Sequence, residues 1–232
     1  MWVERRTFRS LDGKEVPAFS IQTRGESSLI LIHGFSSSKY EMLGIAYRIA
    51  EKGYDAFAID IRGHGDNENE FDDNVLEDVE GVIEELRKKY EKVFTLGHSL
   101  GGLLSLKSSS DFAFAISPPL MAKVVPEVEF MLRVHACKVR ERGDAIFEIL
   151  RKLNPPEREK DAIVFYGKGE SDALKLAIRK WAEGRDVKLI EIDDMQASLP
   201  QTEVDAERLK VYVPRFVSHQ AVVHSKKLIE FL

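Results

Sequence analysis

Short apolar runs alternating with segments of helical period predict an α/β fold, a mostly parallel sheet with helices on both faces. Three observations carry this. Runs such as SLILIHG, YDAFAID and AIVFYG are apolar almost throughout, as strands covered on both sides must be. Segments of helical length separate them. The 232 residues suit one domain (1–232), with residues 120–160 reading as a small helical cap inserted within it.

The elements follow in order. The first section, WVERRTFRSLDGKEVPAFSIQT, alternates about Asp12-Gly13 and predicts a hairpin. SLILIHG is the first covered strand. A helix over about 39–52 leads to strand 54–60, and a second over about 74–90 leads to strand 93–97. That second helix carries its acidic residues early and Arg87, Lys88 and Lys89 late, as the macrodipole favours. A third helix starts near Leu100, and FAFAIS (112–117) is a strand closed by Pro118-Pro119. Residues 120–160 then lose strand character and predict one to three cap helices, the alternative being a long surface crossover. Strand 162–167, a helix over about 172–183 and strand VKLIEI (187–192) resume the alternation. Beyond Leu199 the pattern fits either a short strand at 210–213 or two helices broken near Pro214.

Composition narrows the function. A net charge of −5 spread along the chain offers no basic face and argues against a nucleic-acid partner. A lone cysteine, Cys137, makes an intramolecular disulfide impossible and suits a reducing compartment. The first residues lack the apolar core of a signal peptide, and no apolar run approaches the length of a membrane span. The expectation is therefore a cytoplasmic protein. Only four Asn and four Gln stand against abundant Lys, Arg and Glu, a balance that leans toward a thermophile.

The main chemical signal is GHSLGG (97–102), a G-x-S-x-G where a strand hands over to a helix. Such a nucleophile elbow lifts Ser99 above the sheet on a strained turn. It also leaves the Leu100 N–H at a helix start, facing a developing oxyanion. LILIHGFSSS (29–38) ends another strand in a loop whose Phe35 N–H supplies a second oxyanion-hole donor, and AIDIRGHGDN (58–67) adds a third glycine-rich loop. Among the histidines, His33, His64 and His98 read as loop-ordering residues, and His135 as a surface or packed residue of the cap. No pair has metal-ligand spacing, and no phosphate loop or dinucleotide fingerprint occurs, so no cofactor is expected.

HGF, DIRGHGD and GHSLGG, in that order over roughly residues 10–120, make the chain resemble the α/β-hydrolase superfamily, of the esterase and lipase kind. The resemblance implies the eight-stranded α/β-hydrolase fold. It also implies chemistry by a serine, a carboxylate and a histidine in that chain order. Two registers for the last two stay open. In one, the family's strand-glycine-x-x-carboxylate pattern falls on Gly167–Glu170, with Asp172 as substitute. The family's histidine position after the next strand is then Ala197. In the other, VKLIEI is the acid strand, Asp194 or Asp193 is the acid, and His219 is the base. The first register is preferred, with Glu170 as acid. His219, which both registers can use, is preferred over His224 as base.

The expected function is a serine hydrolase that cleaves a small carboxylic ester or related acyl substrate through an acyl-enzyme on Ser99. Val124, Val125, Phe130, Met131 and Leu132 of the cap are expected to line an acyl pocket suited to a medium chain. The alternative is a non-catalytic or crippled relative that binds an acyl ligand or a partner, because Ala197 holds the expected base position.

Overall fold

The computed structural model describes residues 1–121, 123–141, 144–154, 156, 161–193, 219 and 222–231. Strands β1 (Trp2–Arg9) and β2 (Glu15–Gln22) form the hairpin signalled by Asp12-Gly13, with Gly13 at φ 83° in the turn. After them come β3 (Ser27–Ile32), α1 (Leu43–Glu51), β4 (Asp55–Ile59), α2 (Val75–Arg87), β5 (Lys92–His98), α3 (Leu100–Lys107) and β6 (Phe112–Ile116). The expected first helix opens as a separate 3-10 turn, Lys39–Met42, because the Lys39 backbone N–H is held by the Asp60 carboxylate at 2.6 Å. Two helices, α4 (Pro126–His135) and α5 (Ala145–Leu153), stand between β6 and β7. The chain continues through β7 (Ala162–Gly167), α6 (Asp172–Ala182) and β8 (Val187–Ile192), and α7 spans Lys226–Phe231. Ala197, Asp194 and the ambiguous stretch at 210–214 lie outside the described residues.

These strands make one eight-stranded sheet in the order β1-β2-β4-β3-β5-β6-β7-β8. β1 and β2 are antiparallel to their neighbours, and every other pairing is parallel. Strand 162–167 is therefore the seventh strand, between β6 and β8. This is the sheet of the α/β-hydrolase fold, and it selects the first of the two registers for the fold.

Period-two alternation sends successive residues of each strand to opposite faces. Ile30 and Ile32 pack with α2 and α3, whereas Leu29 and Leu31 pack with α1 and α7. Each such buried side chain contributes about 2 kcal/mol. The outer strand β1 shows Glu4, Arg5 and Arg9 to solvent, which discourages pairing with another edge.

Between hairpin, loop and helix sits a buried cation. Arg62 has no solvent exposure, and its guanidinium reaches Asp72 and Asp78 at 2.7 Å and Asp12 at 3.0 Å. It thereby joins the β1–β2 turn, the loop after β4 and the first turns of α2. Removing Arg62 leaves the fully buried Asp78 carboxylate desolvated without its partner. Arg62→Met is therefore expected to lower unfolding free energy by about 3–5 kcal/mol in urea titrations. A loss below about 1 kcal/mol, the range of a surface pair, would contradict this role.

Candidate active site

The sheet's carboxyl edge collects the chemistry. Ser99 stands between β5 and α3 at φ 52° and ψ −117°, a left-handed conformation that side-chain-bearing residues rarely adopt. The glycines of GHSLGG permit it. A Cβ on Gly97 would strike the Gly101 carbonyl, and one on Gly101 would strike that of Ile32. Helix α3 thus packs directly on β3 and β5, buried on every side through Leu106. The HG loop comes equally close, since a Cβ on Gly34 would stand 3.2 Å from both Ser99 Cβ and His98 Nδ1.

That loop is held from behind. The Ile61 N–H points at His33 Nε2 at 3.3 Å, which makes Nε2 the acceptor and Nδ1 the protonated nitrogen. Nδ1–H then donates to the Gly34 carbonyl at 2.7 Å. In a trans peptide the Gly34 carbonyl and the Phe35 N–H point in opposite directions, so fixing one aims the other. Below His33, buried Lys39 bonds the Asp60 carboxylate, reaches Asp66 at 2.7 Å and lies over the Tyr40 ring. Burial opposes the charge on Lys39, but these two carboxylates outweigh it and raise its pKa. The ion cluster joins the HGFSSSK loop to DIRGHGD.

On the far side of Ser99, Glu170 follows β7 and is buried, and His219 Nδ1 lies 2.9 Å from Glu170 Oε1. Ser117 Oγ donates to the same oxygen at 2.5 Å. His98 Nε2–H donates to the His219 backbone carbonyl at 2.9 Å, and the two imidazole rings lie 4.7 Å apart. Ser99, Leu100, Phe35, Glu170 and His219 all border one cavity of about 610 Å³.

Of the expected site residues, then, Ser99, Phe35, Leu100, Glu170 and His219 come together. The other acid candidates do not join the His219 ring. Asp172 opens α6 almost fully exposed and pairs with Lys175, and Asp193 pairs with Lys168 at 3.2 Å in solvent. Asp194 lies outside the described residues, and His224 ends the 3-10 turn Val222–His224. Val124, Val125, Met131 and Leu132 line the cavity as expected, with Met121, Ile146 and Leu150 beside them, whereas Phe130 is exposed on the other side of α4. Ser117 had no sequence signal, because a serine at a strand end is common. Among the described residues no group of three or more His, Cys, Asp or Glu could hold a metal, and no helix is long and apolar enough to cross a membrane.

Sequence comparisons with known proteins bear mainly on the first half of the chain. A family model described as serine aminopeptidase, S33, matches residues 24–115, from just before β3 into β6. Protein phosphatase methylesterase 1 of Candida albicans is 34% identical over 89 residues, 36% of this chain and 25% of that protein. A thermostable monoacylglycerol lipase of a Bacillus species is 28% identical over 86 residues, 35% of this chain and 34% of that one. The chain thus matches about a quarter and a third of those curated relatives. Among solved structures, an esterase of Pyrococcus furiosus superposes with a TM-score of 0.67 at 16% identity, covering 100% of this chain and 92% of that one. A hyperthermophilic esterase of Pyrobaculum calidifontis gives 0.63 at 15% identity, with 82% and 75% covered. At such identities the likeness is one of fold.

Two buried histidines make the site acid-sensitive. Complete burial, with Lys39 nearby, lowers His33 to about 4; burial and the neighbouring His33 lower His64 to about 3. Both lie below the unfolded value near 6.5, so the unfolded chain takes up these protons first as pH falls. Their contribution is complete above about pH 6.5 and is lost as pH falls from there to about 4 for His33 and about 3 for His64. From pH 7 to 5 the unfolding free energy is expected to fall by roughly 2 kcal/mol per histidine. Urea midpoints measured at the two pH values check this, and equal midpoints would refute it.

Proposed function

We propose that this chain, an α/β-hydrolase by fold, is a serine esterase that cleaves a carboxylic ester through an acyl-enzyme on Ser99. The observation that carries the reading is the pairing of buried Glu170 with half-buried His219 on the cavity that Ser99 borders. With Nδ1–H donated to Glu170, His219 keeps Nε2 free of its proton and able to act as a base.

In the first step His219 Nε2 takes the Ser99 hydroxyl proton as Oγ adds to the ester carbonyl. The carbonyl π electrons move onto oxygen, where the N–H groups of Phe35 and Leu100 stabilise the oxyanion. Collapse of the tetrahedral intermediate re-forms the carbonyl and breaks the bond to the leaving alkoxide, which receives the proton from His219. Water repeats the sequence on the acyl-enzyme and releases the acid. Glu170 stays ionised throughout and stabilises the transient imidazolium. The cap side chains, Met121, Val124, Met131, Leu132 and Ile146 among them, offer an apolar wall suited to the acyl chain of a medium-chain ester.

The rival, a non-catalytic ligand binder, draws its support from Ala197, which occupies the superfamily's usual base position. Hydrolysis of p-nitrophenyl esters separates the two. His219→Ala is expected to cut kcat by about a thousandfold or more, as loss of a triad member does. His224→Ala is expected to change it less than about threefold, as for a residue outside the machinery. Full activity in His219→Ala would remove the assigned base, and wild-type protein inert on all such esters would favour the binder.

A further inference from the structure

Ser117 is fully buried just past the end of β6 and takes no part in the steps above. Its backbone lies at φ 47°, and its N–H donates to the Phe165 carbonyl at 2.7 Å, carrying the contact with β7 beyond the last paired residues. From there the hydroxyl donates to Glu170 Oε1 at 2.5 Å. That oxygen is also the one that faces His219 Nδ1 at 2.9 Å.

We propose that Ser117 is a positioning residue for the acid, its hydroxyl locking the Glu170 carboxylate in the orientation that receives the His219 ring. The inference rests on the serine-esterase reading and concerns the same site. Glutamate carries one more side-chain torsion than aspartate, so a carboxylate reached by one partner alone keeps rotational freedom. The Glu170 backbone is already fixed, its N–H donating to the Gly167 carbonyl at 3.1 Å. Ser117 removes the remaining freedom, and a hydrogen bond to a charged acceptor is among the stronger ones. Backbone strain supports the assignment. Glycine would adopt φ 47° freely, whereas serine does so at a conformational cost, and such outliers persist where a side chain is needed.

The test is a set of steady-state measurements of p-nitrophenyl ester hydrolysis on Ser117→Ala, Ser117→Gly, Glu170→Gln and the Ser117→Ala/Glu170→Gln double variant. Ser117→Ala and Ser117→Gly are both expected to lose roughly ten- to a hundredfold in kcat with KM little changed, the loss that one hydrogen bond to a charged group carries. Ser117→Gly relieves the strained backbone yet lacks the hydroxyl, so its loss cannot be ascribed to backbone geometry. In the Glu170→Gln background, Ser117→Ala is expected to add less than about twofold, because both act through one carboxylate. Wild-type kcat in Ser117→Gly, or losses that multiply fully in the double variant, would overturn the role of Ser117 alone. Wild-type kcat in Glu170→Gln would overturn the acid assignment and this proposal with it.

Discussion

The arrangement depends on one strained turn. Ser99 sits at a positive φ between the central strand β5 and the buried helix α3. A conformation of this kind costs on the order of 1–3 kcal/mol and lasts only where its surroundings leave no alternative. Here the surroundings are the neighbouring strands and the glycine contacts that bring α3 onto them. A side chain at Gly97 or Gly101 would push the helix from the sheet and let the turn relax. The helix is buried from Leu100 through Leu106, mostly on apolar side chains, so its burial holds the serine in place.

Around this turn the site is built from buried polar groups, each held by another. Lys39 with Asp60 and Asp66, and Arg62 with three carboxylates, fix the loops on one side. His33 is neutral because its burial disfavours charge, and its single ring proton goes to the carbonyl beside the Phe35 N–H. On the other side, Ser117 and His219 meet one oxygen of Glu170, while His98 fixes the His219 carbonyl. His98 and His33 each hold a neighbour's backbone carbonyl through a ring nitrogen.

Legibility in the sequence followed the range of each interaction. The strands were readable because a sheet covered on both faces demands apolar runs, and GHSLGG was readable because strand, turn and helix all lie within a few residues. Glu170 was within reach for the same reason, standing three residues after Gly167 at the end of β7. The histidine was harder. The family's spacing falls on Ala197, and His219 is preferred from sequence only because both registers can use it; its ring lies beside Glu170, 49 positions further along. Proximity across so many residues is a tertiary fact that no local pattern encodes. Ser117 escaped detection for a related reason, since its partner lies 53 positions away and its identity is commonplace.

The central claim is that Ser99 is an activated nucleophile, and a fluorophosphonate probe tests it most directly. The folded protein is incubated with the probe, digested, and the modified residue located by mass spectrometry. A single adduct on Ser99, absent from Ser99→Ala, is the predicted result. A folded protein that remains unmodified, or carries the adduct on another residue, would contradict it.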